Sequence, residues 1–408
     1  MNTEPMTEKY KLNVKPPNMI SLIVLTAFAS MGAALITPAL PAISHYFNIS
    51  TGHAQLTVTS FLLGYAIGQL IYGPIANRLG RKPAFYIGIT VATIGSIFSI
   101  LSSPADSFAL MILGRLLEAL GSSVGLVVCF TIINDFYFPS QSRRMVGFMS
   151  LAFAIVPGIA IAVGGLLTEY FHWQLCFFFL LAYGLFLIIP AVTLPETIIK
   201  VDPKALNGVY LLSGYKTMFK NRKLMAYSFI YGLTAASIYI FCAEGPMIGI
   251  KHLHYAPGTY GLIGLIPYSG AILGSFITIH FSKKYSGLQM LRLGIAAEVT
   301  GTILMFTSFL LGFVNIVTLI APMIIFMMGH ALLCANAATL GINESEDKAN
   351  ASAVVNFTAV GTGVVGTFIL SMLHSHDLMV LPTIFVVAML GMVLIYYFEV
   401  NLKSTLSQ

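Results

Sequence analysis

Apolar residues in this chain come in long blocks, without the alternation of a strand or the single stripe of a surface helix. Runs bounded by charge, Gly, Pro or Asn lie near residues 19–40, 56–76, 84–102, 108–132, 145–167, 174–194, 224–247, 259–280, 291–311, 316–338, 349–373 and 378–398. Each approaches the roughly 20 residues with which an α-helix crosses a bilayer core. Hydrocarbon offers no partner for a free N–H or C=O, so each run is predicted to satisfy its backbone as a transmembrane helix. Gly64, Gly68, Pro157, Gly164 and Pro267 fall inside runs. They would weaken a helix in water, but membrane bundles use Gly for close packing and tolerate Pro at bends.

The longest polar gap, 195–223, divides the runs six and six. The pattern predicts a tail over 1–18, a six-helix bundle over 19–194, a linker over 195–223, a second bundle over 224–398 and a tail over 399–408. The halves rhyme: Arg78-Leu79-Gly80-Arg81-Lys82 follows the second run, and Ser282-Lys283-Lys284-Tyr285-Ser286-Gly287 follows the eighth. The expected fold is all-α, with twelve transmembrane helices in two pseudo-symmetric six-helix bundles. Repeated halves suit a carrier in which one bundle rocks against the other around a midplane site.

Loop charge orients this topology. Of the 21 basic residues all but Lys251 and Arg115 fall on the side of the two tails, and an excess of Lys and Arg marks the cytoplasmic side. Both termini are expected in the cytoplasm and the chain in the inner membrane. The first run follows a charged tail of 18 residues and has no small-residue cleavage site, so it reads as a retained helix rather than a signal peptide.

Composition narrows the function. With 57% hydrophobic and 9% charged residues, the chain has too little polar surface for a soluble globule. Its net charge of +6 is spread over short loops rather than gathered in a stripe, so no nucleic-acid partner is expected. Cys129, Cys176, Cys242 and Cys334 sit inside apolar runs with no CxxC and no metal-like spacing to His. They read as small core residues, and no metal or cofactor is expected. No phosphate-binding G-x-x-x-x-G-K-[ST], zinc-binding H-E-x-x-H or nucleophile-bearing G-x-S-x-G occurs, so the chain reads as a non-enzyme whose energy comes from an ion or solute gradient.

Gly73-Pro74-Ile75-Ala76-Asn77-Arg78-Leu79-Gly80-Arg81-Lys82 resembles the G-x-x-x-D-R-x-G-R-K signature of the major facilitator superfamily. Ser60 to Leu70, Pro38-Ala39-Leu40-Pro41, Gly114-Arg115 with Gly121, Asn134-Asp135, Gly164-Gly165 with Trp173, and Leu194-Pro195-Glu196-Thr197 are similar to its Bcr/CflA-type drug-resistance exporters. The resemblance implies a monomeric, proton-coupled exporter of small amphipathic compounds, drugs or a secreted metallophore, working by alternating access. Five positions depart from the pattern: Asn77 replaces an Asp, Ala34 an acid found in many relatives, Glu118 a Gln, and Ala160-Ile161 a Gly-Pro. These departures keep uptake of a nutrient or siderophore open as a second reading. A sensor or intramembrane enzyme on the same scaffold is a third, against which stands the lack of an output domain or catalytic spacing.

Ionisable groups are expensive in hydrocarbon and mark functional candidates. Arg115 and Glu118 share a face of the fourth helix at i and i+3. They form either a structural pair or a site where Glu118 exchanges a proton and substrate competes for the same charges. Glu244, near the end of the seventh helix, reads as a gate or as a solvated helix end. Glu298 is expected to snorkel toward Arg292 or to pack, and His330 to be a satisfied hydrogen-bond partner, with titration near neutral pH as its alternative. Tyr65, Gln69, Tyr227, Tyr231, Tyr239, Tyr268, Asn336 and Asn356 are pocket candidates, because aromatic walls with polar tips suit bulky amphipathic solutes; Tyr227, Tyr231 and Tyr239 read equally as core or interface anchors. Gly73, Asn77, Arg78, Gly80, Arg81, Lys82, Asp135, Arg143 and Arg144 are expected on the cytoplasmic rim, latching helices together. The partners called for are a small-molecule substrate, protons and membrane lipid.

Overall fold

The computed structural model describes residues 16–137, 139–198, 201–281, 284–373 and 377–401. Among them the apolar runs form twelve membrane helices: α1 (Met19–Tyr46), α2 (Thr51–Leu79), α3 (Arg81–Leu101), α4 (Phe108–Phe136), α5 (Pro139–Tyr170), α6 (Gln174–Thr193), α7 (Arg222–His252), α8 (Pro257–Phe281), α9 (Gly287–Leu310), α10 (Ile316–Asn343), α11 (Lys348–Met372) and α12 (Val380–Val400). Among the described residues eleven are long and apolar enough to span, and in α5 the described part of the apolar run is Ile155–Tyr170. Most helices run a few residues beyond the apolar blocks. Their polar ends lie where lipid headgroups and water can solvate them, and side chains cap them: Ser50 at α2, Ser107 at α4, Ser286 at α9 and Asn315 at α10. We call the end of the bundle where α1 begins and α12 finishes the terminal end, and the opposite one the far end.

The packing repeats with a period of six helices. In the first half α3 packs on α4, α2 on α4, α1 on α5 and α3 on α6; in the second α9 packs on α10, α8 on α10, α7 on α11 and α9 on α12. Both α3–α4 and α9–α10 are close approaches of bare backbone. A methyl on Gly95 would lie 2.2 Å from the Glu118 N, and one on Gly329 would lie 2.7 Å from the Gly294 O. Without a hydrophobic drive between helices in lipid, such contacts supply the packing that holds each bundle together. The outward faces of α6 and α12 carry Phe178, Phe186, Ile189, Val387, Leu390 and Leu394, apolar as lipid requires.

The linker contains a helix, Gly208–Lys220, where the polarity of 195–223 had suggested only a connection. Its Tyr215 and Met218 are buried against Leu224 of α7 and Ala351 and Val354 of α11, and partly buried Leu70 of α2 packs on the same cluster. The Tyr215 hydroxyl donates to Leu70 O at 2.9 Å. Burial, with Asp347 nearby, pushes this phenol above its ordinary value, so it stays a neutral donor. Asp202 N also donates to Asn77 O at 3.0 Å. The linker therefore touches both halves at the terminal end.

Candidate functional site

The turn between α2 and α3 is built around one guanidinium. Arg81 Nε donates to Asp135 Oδ2 of α4 at 2.9 Å, and its Nη1 donates to Ala76 O at 2.7 Å and Asn77 Oδ1 at 3.0 Å. Thr197 Oγ1 donates to the same Asp135 oxygen at 2.8 Å. Glu196 accepts from the backbone N–H of Arg81, Lys82 and Ile198, a carboxylate at the positive N-terminus of α3. Gly80 turns at φ 108° directly under that carboxylate, a conformation and a clearance that a side chain would spoil. Lys82 Nζ donates to Val192 O at 2.8 Å, while Arg78 is exposed and Gly73 faces Val127. Asn77 thus keeps the contact that its position needs without supplying a charge. The expected latch binds helices of one half to each other; the side chains of Arg143 and Arg144, and Lys283 of the matching loop, lie outside the described residues.

Deeper in the first half, Arg115 and Glu118 are both fully buried. Arg115 Nη1 donates to Glu118 Oε2 at 2.9 Å and Nη2 to Gly32 O of α1 at 2.8 Å, and the guanidinium lies 4.2 Å from the centre of the Phe61 ring of α2. Three helices converge because α1 has no side chain at Gly32: a Cβ there would lie 3.0 Å from both Glu118 Oε1 and the Phe61 ring. Among the described residues Glu118 Oε1 and Arg115 Nε have no hydrogen-bond partner. The pair expected from the sequence forms, and in this conformation it is sealed inside the bundle rather than lining an open cavity.

The halves meet directly at the far end. Gln55 of α2 donates to Glu244 Oε2 of α7, both side chains buried. Around this contact Lys251 Nζ donates to Thr51 Oγ1 at 3.2 Å, Gly258 N to Glu169 Oε2 at 2.7 Å, and Thr59 Oγ1 to Thr367 Oγ1 at 3.0 Å. Each bond joins a residue of the first half to one of the second. Glu244 is therefore no solvated helix end; the turn that follows it, Met247–His252, is wound as a π-helix and carries Lys251 toward α2.

Further toward the midplane, tyrosines from both halves gather. Tyr231 lies within electrostatic range of Tyr65, Tyr239 and Cys334, and Tyr268 of Tyr239, Tyr260 and Cys242. Gln69 hydrogen-bonds Tyr65 one turn away on α2. Of the pocket candidates, Tyr65, Gln69, Tyr231, Tyr239 and Tyr268 are brought together. The others are not. Tyr227 lies at the terminal end near Glu344 and Tyr396, and Asn336 donates to Leu332 O with its amide beside Gly287 of α9, inside the second half. Asn356 is half-buried on α11, with no hydrogen bond tying it to the tyrosines among the described residues. The sequence could not separate these cases, because a 100° helical turn per residue fixes faces but not the neighbours those faces meet.

Two residues that composition undervalued belong to a site of their own. Glu298 is fully buried and accepts from Thr234 Oγ1 of α7, instead of snorkelling to Arg292, which meets Tyr396. His330 Nδ1 of α10 lies 2.9 Å from the same Thr234 oxygen, and its ring lies 3.2 Å from Cys334 Sγ. Among the described residues no three His, Cys, Asp or Glu side chains gather as metal ligands would.

Two halves of repeated packing, a charged turn after the second helix and a polar group between the halves are the features of a rocking carrier. Residues 22–367 match the Major Facilitator Superfamily. The chain belongs to that superfamily. Its relatives include the multidrug resistance protein D of Escherichia coli, 26% identical over 77% of this chain and 78% of that protein, and a bicyclomycin resistance protein homolog of Haemophilus influenzae, 24% identical over 95% and 97%. Among solved structures, the partially occluded inward open form of the xylose transporter XylE from E. coli superposes with a TM-score of 0.74 at 13% identity, over 94% of this chain and 98% of that one. That likeness shows the fold. As a major facilitator the protein is a multi-pass membrane transporter of small molecules that works by alternating access.

Proposed function

We propose that this transporter sits in the inner membrane with both termini in the cytoplasm and exports small, partly apolar compounds in exchange for protons. The observation that carries the reading is the buried Gln55–Glu244 contact between the halves at the far end, placed above a midplane cluster of tyrosines drawn from both halves. The tyrosines offer flat apolar area with polar tips, which suits varied amphipathic solutes. The carboxyl above them ties charge to gating. Closed, Glu244 is shut away from water against Gln55; opened to the outside, it meets water, which solvates the ionised carboxylate. A proton arriving from outside therefore favours closing the far end, as the return stroke of an exporter requires. Arg115–Glu118 is proposed as the pair that takes and releases the transported proton, because rocking that disturbs Gly32 or Phe61 changes the surroundings of an already half-satisfied carboxylate. The drug-resistance names of the relatives support export over uptake.

The test uses purified protein in liposomes with a trapped pH dye, an imposed proton gradient and, in turn, chloramphenicol, ethidium and tetraphenylphosphonium. Export predicts proton movement opposite to the compound, lost in Glu118→Gln with the compound still bound. Proton movement in the same direction as the compound would overturn export in favour of uptake, and retained exchange in Glu118→Gln would remove that residue from the coupling role.

A further inference from the structure

A hydrogen-bonded chain runs through the second half from a fully buried acid to a partly exposed base. Glu298 of α9 meets Thr234 of α7, and Thr234 meets His330 of α10 at 2.9 Å. Glu298 Oε2 is buried with no hydrogen-bond partner, and among the described residues no Lys or Arg pairs with this carboxylate. The groups facing it are few. From α7 comes Thr234, and from α10 come His330, Cys334 and the bare backbone of Gly329, where a methyl would lie 2.8 Å from Glu298 Cγ. On the side of α12 the charge of α9 is at Arg292, six residues earlier, beside Tyr396.

An ionised carboxylate in such surroundings lacks the partners that buried charge requires. A threonine hydroxyl has one proton to give and can accept another, so the chain has two self-consistent polarities. In one, the imidazolium donates from Nδ1 to Thr234 Oγ1 and Thr234 donates to an ionised Glu298. In the other, a protonated Glu298 donates to Thr234 and Thr234 donates to Nδ1 of a neutral imidazole that keeps its Nε2 proton. The two interconvert when the Nδ1 proton passes to Thr234 Oγ1 while the hydroxyl proton passes to Glu298. One N–H and one O–H bond break, two O–H bonds form, and no atom is gained or lost. We infer that Glu298, Thr234 and His330 form a proton-binding relay in the second half, separate from Arg115–Glu118. Cys334 touches the imidazole and lies in electrostatic range of Tyr231, so the relay's open end borders the tyrosine cluster between the halves.

The relay can be read without any substrate, and its failure leaves the export reading standing. Infrared difference spectra of the full chain in lipid nanodiscs, recorded across a pH titration, should show the C=O stretch of a protonated carboxylic acid that is absent in Glu298→Gln. Thr234→Val, which keeps shape and removes the hydroxyl, should shift that band and uncouple it from the imidazole signal, and Thr234→Ser should restore both. His330→Gln should remove the imidazole component while the acid band persists. Should Glu298→Gln fail to fold, the Thr234 pair decides alone. A carboxylic band unchanged in Glu298→Gln, or identical in Thr234→Val and the wild type, would overturn the relay.

Discussion

Glu244 of α7 accepts a hydrogen bond from Gln55 of α2, so a carboxyl of one half is closed against an amide of the other. In a carrier whose two halves separate at this end, that bond is expected to break and re-form in each cycle. Gln55→Leu leaves the Glu244 oxygen unsatisfied when closed, a penalty of about 1–3 kcal/mol, or roughly 5- to 150-fold in the open population. Labelling Thr51→Cys with an impermeant maleimide, in a background lacking the four native cysteines, should accelerate by that order. Relative to a free thiol at the same pH, labelling of the parent Thr51→Cys protein should also rise with pH, since ionised Glu244 is better solvated in the open mouth, and Glu244→Gln should flatten that excess. Equal rates in Gln55→Leu and the parent would show that the contact does not hold the far end shut.

Arg115 and Glu118 should not be equivalent on substitution. Arg115→Ala leaves a carboxylate fully buried against Gly32 and Phe61 with no counter-charge, a loss of about 3–5 kcal/mol. Glu118→Gln removes the charge but leaves an amide that can still meet the guanidinium. Thermal unfolding in detergent should show a large fall in Tm for the first and a smaller one for the second, where Arg115 keeps Gly32 O and the Phe61 ring; an unchanged Tm in Arg115→Ala would argue that the pair does not hold these helices together.

The approach of α3 to α4 sets a steric test. Gly95→Ala places a methyl 2.2 Å from the Glu118 N, so the helices must part, and overpacking of this kind destabilises by about 1–3 kcal/mol or more. Gly361→Ala, with nothing within 4 Å of its added carbon, is the matched control. Its yield and Tm should stay at the parent's level while those of Gly95→Ala fall.

At the terminal end, Glu196 accepts three backbone N–H groups. Glu196→Ala removes an N-terminal cap worth about 0.5–2 kcal/mol, and protease cleavage of the turn at Gly80 should become faster. Asn77→Asp adds a second carboxylate to Arg81 and should slow the same cleavage, though modestly, because Asn77 is exposed to solvent. Cleavage that ignores both changes would mean that the turn is held by other contacts.

The helix count, the six-and-six division and the pairing of Arg115 with Glu118 were legible because each depends on spacing along one helix or on transfer into lipid, both properties of local sequence. So was the turn at 77–82, although the second carboxylate there, Glu196, had only a family resemblance to mark it. The linker helix was not legible, since Tyr215 and Met218 bury themselves on residues of α7 and α11 that no local pattern announces.

Which candidates share a site was decided only by tertiary packing. Tyr65 and Tyr231 come within electrostatic range of each other, yet Asn336, equally polar and equally placed in an apolar run, turns into its own bundle against Gly287. Glu298 looked like a snorkelling end because Arg292 is near in sequence, while the fold pointed it at Thr234 and His330 from two other helices. The physical reason is the same throughout. The sequence determined by itself that each run crosses a membrane, because burying a backbone in lipid is a demand every helix meets alone; what each polar side chain does there was settled by the neighbours that the other eleven helices brought to it.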